Sequence, residues 1–532
     1  MISRSNLSLK NELIYQGMKS TIFILALMTL VQITASAKNF NIVDFGAKGD
    51  GKTVNTFAIQ SAIDACHKSG GGTVEVPAGI FFTGTINLKS NVNLFLQPGS
   101  LIKGTVNLKD YNYQNRRVGL IYTENAENVS ISGFGTIDGN GDAFMKLDEF
   151  KVISREGKQF SRQTDNFRVI PGVLSDGPVV PLERPFQMII FSNCKNVTIR
   201  DVTVSNSPFW TIHLADVNGG VISGVKINNS LLIPNNDGID LTSCSNINVS
   251  DCNISGGDDG FAITGYAHHF DLPGYKNLVH DSENINVSNC NIVSRSSGIR
   301  IGGWDQNHMR NYNFSNINIS NSNRGIVLTV RDSGMIENMN FNNIVIETRL
   351  HTGDWWGNGE PIQIAVLRGT PDVKLGVIRN IFFSNIIARS EAGIVVFSSE
   401  ESEIVNLQFR DVYLKIMNSP YNNYSGGNFD LRPVSDPRYS LFAHDIPGLF
   451  AKGVRQLSIR NFRLEWDGQK QDFFTSGIEV EDFDGLEITD FHGASAPASQ
   501  KLPAVKLSNG KNWTTNISPE KIEKIAIFAT PN

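Results

Sequence analysis

The chain has 532 residues, of which 40% are hydrophobic and 19% are charged, and its formal net charge is −5. This weakly acidic balance argues against a surface built for nucleic acid or an anionic membrane, because both need an excess of Lys and Arg. An acidic partner would therefore have to be recognised by local cations.

Five cysteines in a chain of this length do not make the dense disulfide framework of a small secreted domain. Most of them fall in or beside repeated strands, where Cys behaves as a small apolar residue, so buried free thiols are favoured. If they were oxidised, Cys244 and Cys252 would be the candidate pair. No Cys or His spacing is typical of a zinc site, and we predict neither a metal nor a cofactor. The cysteines are Cys66, Cys194, Cys244, Cys252 and Cys290.

The first 37 residues have the pattern of a targeting segment. Lys19 precedes an apolar run at 22–28, and the small residues Ala35-Ser36-Ala37 follow as a cleavage site. The run is too short for a stable transmembrane helix. We therefore predict a signal peptide at 1–37, one domain at 38–532, no membrane anchor, and a secreted or periplasmic monomer. The alternative is a buried helix of similar composition.

The next predicted element is a helix. Phe57, Ile59, Ile63 and Cys66 have helical spacing after Asn55. Because the open end of a stack of repeats must be covered, this helix is expected to cap the repeats that follow it.

A repeated pattern extends almost to the end of the chain: a polar residue, often Asn, followed by alternating β-branched and polar residues. Copies begin at Asn284, Asn311 and Asn338, so this spacing is 27 residues. Period-two alternation indicates strands, and a fixed long period indicates stacked coils. A β-sandwich would turn every 8–12 residues instead. We predict an all-β fold, a single-stranded right-handed parallel β-helix, with Asn in left-handed turns.

Long insertions interrupt the repeats, and they carry many aromatic, His and Arg residues. Binding sites usually lie on such loops, and Trp faces are natural platforms for sugar rings. The insertions are 142–184, 265–283, 303–310, 350–361 and 418–455. Their notable residues are His268, His269, Trp304, His308, Trp355, Trp356, Arg432 and Arg438.

Two short acidic stretches, 235–240 and 256–260, begin 21 residues apart. One coil of a β-helix would stack them at the strand spacing of about 4.8 Å. Crowded carboxylates have divided pKa values, which suits the acid and base of glycoside hydrolysis. Asp258 and Asp259 would point to opposite faces of a regular strand, so both can reach one groove only if the glycines at 256–257 let the backbone bend. The alternative is a ladder of Asp residues that bind turn amides.

The chain resembles glycoside hydrolase family 28, the polygalacturonase family, over about 40–345. The motifs that carry the likeness are Asp44-Phe45-Gly46-Ala47, Gly70-Gly71-Gly72-Thr73, Gly135-Thr136-Ile137-Asp138-Gly139, Asn206-Ser207-Pro208-Phe209-Trp210, and the two acidic stretches. The resemblance implies inverting hydrolysis without a metal. It implies that Asp258 is the general acid and that Asp237 and Asp259 hold and deprotonate the attacking water.

The residues predicted to contact or position the sugar lie around these acids and on the insertions. They are Asn235, Asp240, His213, Arg300, Trp304, Arg331 and Trp355.

Two departures from the family pattern affect the substrate. Ser297 stands where the family has His, and Val327 and Thr329 stand where it has the Arg and Lys that grip a galacturonate carboxylate. The candidates to replace that pair are Arg300, Arg324 and Arg331.

The sequence thus predicts a secreted inverting hydrolase of a pectic poly- or oligosaccharide. Large loops at the groove favour action at chain ends. One alternative is a polysaccharide lyase on the same fold, which would use Ca²⁺ and a basic residue. The other is a non-catalytic glycan-binding protein, for which the departures at Ser297 and Thr329 argue.

Overall fold

The computed structural model describes residues 38–151, 176–265, 280–303, 307–369, 372–399, 402–432 and 441–525. The described residues from Phe40 onward belong to one compact unit. The predicted signal peptide at 1–37 lies outside the described residues. Within the described ranges, no helix combines the length and the apolar character that a bilayer span needs.

Two long parallel sheets dominate the larger unit, and the chain passes from one to the other in every coil. The described strands of the 14-stranded sheet are Ile86–Asn87, Ile121–Glu124, Ile189–Ser192, Ile212–Ala215, Ile239–Thr242, Phe261–Thr264, Ser297–Gly303, Arg324–Arg331, Ile362–Leu367, Ile394–Ser398, Leu449–Lys452, Ile478–Glu481, Val505–Ser508 and Ile522–Ile525. All pairings between neighbours in this sheet are parallel. The predicted parallel β-helix is confirmed.

The other sheet has 23 described strands, which merge into long strands in the later coils. They are Asn39–Asn41, Asp50–Val54, Gly72–Val76, Gly79–Thr83, Val92–Leu96, Ser100–Gly104, Glu127–Gly133, Thr136–Asp138, Lys195–Arg200, Thr203–Ser205, Asn218–Ser223, Lys226–Asn228, Ser245–Ser250, Asn253–Gly256, Ser282–Ser288, Asn291–Ser294, His308–Ser322, Met335–Thr348, Val377–Ser390, Glu403–Ile416, Val454–Trp466, Asp484–His492 and Lys511–Thr515.

Three small antiparallel sheets stand apart from the coils. Their strand pairs are Asn112–Tyr113 with Arg116–Arg117, Met145–Phe150 with Val179–Pro181, and Asn428–Asp430 with Leu441–Ala443. Among the described residues the α-helices are Thr56–Lys68 and Asn422–Ser425. The short 3-10 helices are Ile42–Phe45, Leu108–Asp110, Gly141–Phe144, Pro497–Ser499 and Pro519–Lys521.

Inward-pointing side chains form one hydrophobic core along the solenoid. In Ser245–Ser250, Ile247 and Val249 are buried, whereas Asn246 and Asn248 face solvent. Like residues stack from coil to coil, and burying each large apolar side chain contributes about 1.5–3 kcal/mol. Four stacked phenylalanine rings have centroids 4.7–5.2 Å apart: Phe314, Phe341, Phe383 and Phe409.

The predicted helix is present as Thr56–Lys68, and Ile59, Ile63 and Cys66 join the core. One residue was assigned to the wrong face: Phe57 is 84% exposed, because it precedes the buried stripe that begins at Ala58. The helix packs on the first strands of the solenoid, as expected of a cap.

The five cysteines are buried free thiols, as predicted. The candidate pair differs from the one the sequence indicated. Cys252 contacts Cys290, its neighbour in the next coil, since Asn253 is paired in register with Asn291.

The turn asparagines adopt the predicted left-handed geometry. Asn284, Asn311 and Asn338 have φ values of 58°, 63° and 56°. Their side chains form a ladder in which the Asn311 Nδ2 atom donates to Asn284 Oδ1 at 3.2 Å, and Asn338 Nδ2 donates to Asn311 Oδ1 at 3.3 Å.

Asn311→Ala should therefore lower the free energy of unfolding by about 1–2 kcal/mol, because a side chain with a Cβ and no local hydrogen bond is strained at this φ. Asn311→Gly removes the ladder but tolerates the φ, and it should cost less. Urea titrations of both variants check this. Equal losses would mean that the ladder, not the backbone geometry, selects Asn here.

Candidate active site

The two acidic stretches lie side by side because neighbouring strands of the 14-stranded sheet pair without a shift in register. Ile239 is paired with Phe261. Just before this pair, the Gly238 N–H donates to the Asp259 carbonyl oxygen at 2.9 Å, which places Asp237 beside Asp259. The predicted stacking of the two stretches on adjacent coils is confirmed.

Three carboxylates meet at this point. One oxygen from each of Asp237, Asp258 and Asp259 lies within 4.8 Å of the other two. A water that accepts or donates hydrogen bonds of about 2.8 Å to two such oxygens spans about 4.5 Å between them. The spacing therefore leaves room for one bridging water.

The backbone bends at Gly257 and Asp258, as predicted, and glycine is also required beside the acids for a second reason. A Cβ on Gly257 would lie 2.3 Å from the Ile233 carbonyl oxygen, and one on Gly256 would lie 2.8 Å from the Asn236 carbonyl oxygen. The Gly257 N–H also donates to Asn236 Oδ1 at 2.6 Å. The glycines thus allow this coil to pack closely on the preceding one, and both Asp258 and Asp259 then reach the same cavity.

Asp258 is the partly exposed member of the group. Its Oδ2 atom accepts a hydrogen bond from the Asn235 N–H at 3.1 Å, and its Oδ1 atom accepts one from the Asp259 N–H at 3.1 Å. Burial of the carboxylate and the adjacent charge of Asp259 raise the pKa of Asp258 to about 6. Asp258 therefore carries a proton in mildly acidic solution.

Asp259 is buried but held as a carboxylate. Its Oδ1 atom accepts the Ser297 N–H at 2.9 Å, and its Oδ2 atom forms an ion pair with Arg300 Nε. Burial opposes ionisation, but the guanidinium groups of Arg300 and Arg324 outweigh it and lower the pKa of Asp259. Asp259 is thus the ionised acid of the site.

Asp237 is 3% exposed, and its Oδ1 atom has no hydrogen-bond partner among the described residues. Burial, and the nearby charges of Asp258 and Asp240, raise the pKa of Asp237 well above its ordinary value. The site therefore places two carboxyl groups with raised pKa values, Asp237 and Asp258, beside Asp259, whose pKa is lowered. The sequence predicted one raised pKa, whereas the structure raises the pKa of Asp237 as well as that of Asp258. The role given to Asp237 and Asp259, holding and deprotonating the attacking water, stays a prediction.

The same three oxygens are close enough to contact one cation. Both oxygens of Asp259 are already engaged by Ser297 and Arg300, whereas Ca²⁺ seeks about six to eight free oxygen ligands. A second group of similar spacing, His444 with Glu479 and Glu481, is also compensated, because Lys506 Nζ contacts Glu479 at 2.6 Å. The residues at the three aspartates fit proton transfer better than cation binding.

A cavity of about 280 Å³ lies over the three acids, close to the lower end of the roughly 300–1,000 Å³ of small-ligand pockets. Two of the predicted insertions supply its walls, one near Lys151 and Pro178 and the other at 354–356. The described residues that line it are Lys151, Pro178, Trp210, Pro234, Asn235, Asp237, Asp258, Asp259, Ser296, Arg300, Asp354, Trp355 and Trp356.

The tryptophans of the predicted binding loop have different roles. Trp355 is only 3% exposed, and its Nε1 atom donates to the Asp176 carbonyl oxygen at 2.7 Å. Arg432 supports it from behind by donating to the Trp355 carbonyl oxygen at 3.0 Å. Trp356 is 37% exposed. Trp355 is thus part of a fixed wall, and Trp356 is the ring available to a sugar.

Of the residues predicted to bind or position the sugar, Asn235, Arg300 and Trp355 line the cavity, and several others do not. His213 is fully buried, its Nε2 atom lies 3.0 Å from Thr242 Oγ1, and burial lowers its pKa to about 3. Asp240 is buried beside His213 in register. Arg331 is at the far end of its strand, paired with Leu367.

Other notable insertion residues also lie elsewhere. His308 opens a strand of the 23-stranded sheet, where its Nε2 atom is 2.7 Å from Glu337 Oε1. Trp304, His268, His269 and Arg438 lie outside the described residues.

No arginine directly replaces the missing family cations within the described cavity wall. Arg300 forms an ion pair with Asp259, and its Nη1 atom donates to the Gly302 carbonyl oxygen at 2.9 Å. Arg324 is fully buried beside Ser297 in register. It is not among the residues that line the cavity, and its charge lowers the pKa of Asp259.

Arg184 is a site residue that the sequence did not indicate. Its Nη1 atom donates to the Pro234 carbonyl oxygen at 2.7 Å and to the Pro208 carbonyl oxygen at 2.8 Å, and its Nη2 atom donates to Asn235 Oδ1 at 2.8 Å. Its guanidinium also lies over the Phe209 ring. Arg184 thereby fixes the turn whose amide binds Asp258. A single arginine before a strand is part of no repeated motif, so the sequence does not indicate this role of Arg184.

Comparison with known proteins agrees with the site. Residues 182–349 match the sequence model of Glycosyl hydrolases family 28, and residues 39–141 match that of Rhamnogalacturonase A/epimerase, pectate lyase-like. Over residues 182–349 the chain is thus similar to glycoside hydrolase family 28. The family 28 match contains all three acids of the cavity.

Two curated proteins show how far the similarity to family 28 enzymes extends. An exo-poly-alpha-D-galacturonosidase from Dickeya chrysanthemi is 33% identical over 258 residues, which is 42% of each chain. A probable polygalacturonase from Vitis vinifera is 29% identical over 249 residues, which is 43% of this chain and 45% of that one. The chain therefore spans less than half the length of these relatives.

A solved structure extends the comparison of the fold. The hyperthermoactive exopolygalacturonase from Thermotoga maritima superposes with a TM-score of 0.57 at 24% identity, covering 81% of this chain and 92% of that chain. This likeness concerns the fold, and the predicted right-handed parallel β-helix is confirmed.

Proposed function

We propose that this protein is an exported glycoside hydrolase that cleaves a pectic polysaccharide at its chain ends with inversion of anomeric configuration. The observation that carries the proposal is the pair formed by Asp258, whose pKa is raised to about 6, and the ionised Asp259 in one cavity. Glycosidic hydrolysis needs a proton donor for the leaving oxygen and a base for water. The match of residues 182–349 to family 28 supports the same chemistry.

In this proposal, Asp258 gives its proton to the glycosidic oxygen as the bond breaks. Asp259 takes the proton of the attacking water, and Arg300 keeps it ionised until then. Asp237, whose pKa is raised, orients that water through its Oδ1 atom, which has no hydrogen-bond partner among the described residues. Passage of one proton from Asp259 to Asp258 through solvent restores the site.

The stereochemical outcome follows from how the water is held. The closest carboxylate oxygens lie within 4.8 Å, which is shorter than the roughly 6.5–9.5 Å between carboxyl groups typical of inverting enzymes. It is nevertheless long enough for a water bound between Asp237 and Asp259. Asp259 is also tied to Arg300, which weakens it as a nucleophile toward the sugar carbon.

The substrate and the mode of attack rest on the cavity and on the relatives. Walls from two insertions restrict the space over the acids to about 280 Å³, which favours entry of a chain end over passage of a long chain. The relative from Dickeya chrysanthemi is named for exo-action on poly-galacturonate. Both points support an exo-acting enzyme on a pectic chain.

The direct test is to screen the protein on galacturonan, rhamnogalacturonan and neutral galactans, with NMR of the first product. We expect release of short saturated sugars whose first anomer is opposite to that of the cleaved bond. Retention of configuration would overturn the inverting mechanism. Binding of glycan without any product would favour a non-catalytic protein instead.

A chelator separates hydrolysis from the lyase alternative. Because both oxygens of Asp259 are occupied by protein donors, we expect EDTA to leave the rate within about twofold. The measurement is reducing-sugar release with and without EDTA, together with absorbance for unsaturated products. Loss of activity that Ca²⁺ restores, with unsaturated products, would contradict the proposal.

A further inference from the structure

Two cationic residues line the described wall of the cavity, Lys151 and Arg300. Arg300 is engaged by Asp259 and by the Gly302 carbonyl oxygen. The Lys151 ammonium forms no ion pair or hydrogen bond with any described side chain, although its backbone is fixed. A cation that lines an acidic cavity and has no counter-ion among the described residues is available to a ligand.

The backbone of Lys151 is held in place by the strands beside it. Met145–Phe150 and Val179–Pro181 pair in antiparallel fashion, with Phe150 opposite Val179. The Lys151 N–H then donates to the Pro178 carbonyl oxygen at 2.7 Å. Lys151 is therefore anchored at the point where this insertion meets the cavity.

The segment that anchors Lys151 is itself tied to the opposite wall. Asp176 Oδ1 accepts from Arg349 Nη2 at 3.1 Å, and its Oδ2 atom accepts from the Thr352 N–H at 2.9 Å. The Trp355 indole donates to the Asp176 carbonyl oxygen. Burial opposes ionisation of Asp176, but His351 and Arg349 lower its pKa well below the usual range. This buried network fixes the two walls together.

We propose that Lys151 binds the carboxylate of the uronic acid at the cleavage site, in place of the cations absent at Val327 and Thr329. A sugar carboxylate that enters this cavity beside the carboxylate of Asp259 loses hydration and is unfavourable unless a cation compensates its charge, and Lys151 supplies that cation from an insertion rather than from a coil. The inference rests on the proposed function and names its substrate class, a non-esterified galacturonide.

The test compares Lys151→Met with Lys146→Met. Lys146 is a matched control because it belongs to the same insertion, is paired with Glu149 at 2.8 Å, and does not line the cavity. Both variants are assayed on trigalacturonate and on its fully methyl-esterified form. We expect Lys151→Met to raise KM for trigalacturonate about tenfold or more, as loss of a charge-assisted hydrogen bond predicts. For Lys151→Met, KM for the methyl ester and kcat for both substrates should stay within about threefold of the values of the unsubstituted protein. Lys151→Arg should keep most of the affinity.

Several outcomes would overturn the inference. These are an unchanged KM for trigalacturonate, or an equal rise for the acid and the ester, in Lys151→Met. A comparable rise in Lys146→Met would also overturn it, since it would reveal a general effect of charge in the insertion. If the unsubstituted protein cleaves no galacturonide, the proposed function fails; the inference about Lys151 is then judged by calorimetric binding of trigalacturonate to the protein with and without Lys151→Met, where equal affinities refute it.

Discussion

The Asp258→Asn variant should lose about 10²–10⁴-fold in kcat on a natural pectic substrate while keeping its fold. The amide matches the carboxyl in shape and keeps one acceptor oxygen, so it can accept the hydrogen bond of either the Asn235 or the Asp259 backbone N–H. It cannot give a proton to the leaving oxygen. Steady-state rates on oligogalacturonate, with far-UV circular dichroism of the variant, provide the measurement.

Two comparisons make this result specific for proton donation. Asp251→Asn changes an exposed left-handed turn residue in the same coil, and it should leave kcat unchanged. A substrate whose leaving group needs no protonation should restore much of the rate of Asp258→Asn. Full activity of that variant on the natural substrate would remove Asp258 from its assigned role, and equal losses on both substrates would point to binding instead.

Removal of the Arg300 charge should change the pH profile of kcat/KM. In the unsubstituted protein, activity requires ionised Asp259 and protonated Asp258, so it should fall as pH rises through about 6 and fall again at low pH. In Arg300→Met, burial of Asp259 is no longer offset by its ion pair, and the pKa of Asp259 rises. The acidic limb should move up by about one to three pH units, which narrows the profile and lowers its maximum at least tenfold.

Arg310→Met is the matched control for this change. Arg310 pairs with Glu283 at 2.7 Å on the 23-stranded sheet, away from the cavity. The pH profile of kcat/KM for Arg310→Met should coincide with that of the unsubstituted protein. An unmoved acidic limb in folded Arg300→Met would mean that Asp259 is not the group whose ionisation activity requires.

Much of the fold is readable from the chain because it repeats. Asn284, Asn311 and Asn338 mark equivalent turns, and inward residues such as Ile247 and Val249 alternate with polar ones, so strand, coil and turn geometry all follow from local pattern. The convergence of the acids follows as well, since a separation of about one coil places residues side by side in a parallel sheet.

The protonation states and the cavity walls could not be predicted in the same way. Asp237 and Asp259 are neighbours of the same type, and the charges of Arg300 and Arg324, which lie on later coils, lower the pKa of Asp259. Lys151 and Arg184 enter the site through insertions that follow no repeat. His213 was assigned to the sugar because sequence cannot tell a buried histidine from an exposed one.

The division of protons among the three acids is the claim on which the catalytic account depends. It is tested most directly by NMR titration of the protein labelled with carbon-13 at its aspartate carboxyl groups. We predict one carboxyl that titrates near pH 6 and disappears from the spectrum of Asp258→Asn. If the Asp258 carboxyl instead titrates near the ordinary aspartate value of about 4, the assignment of a general acid to this cavity is wrong.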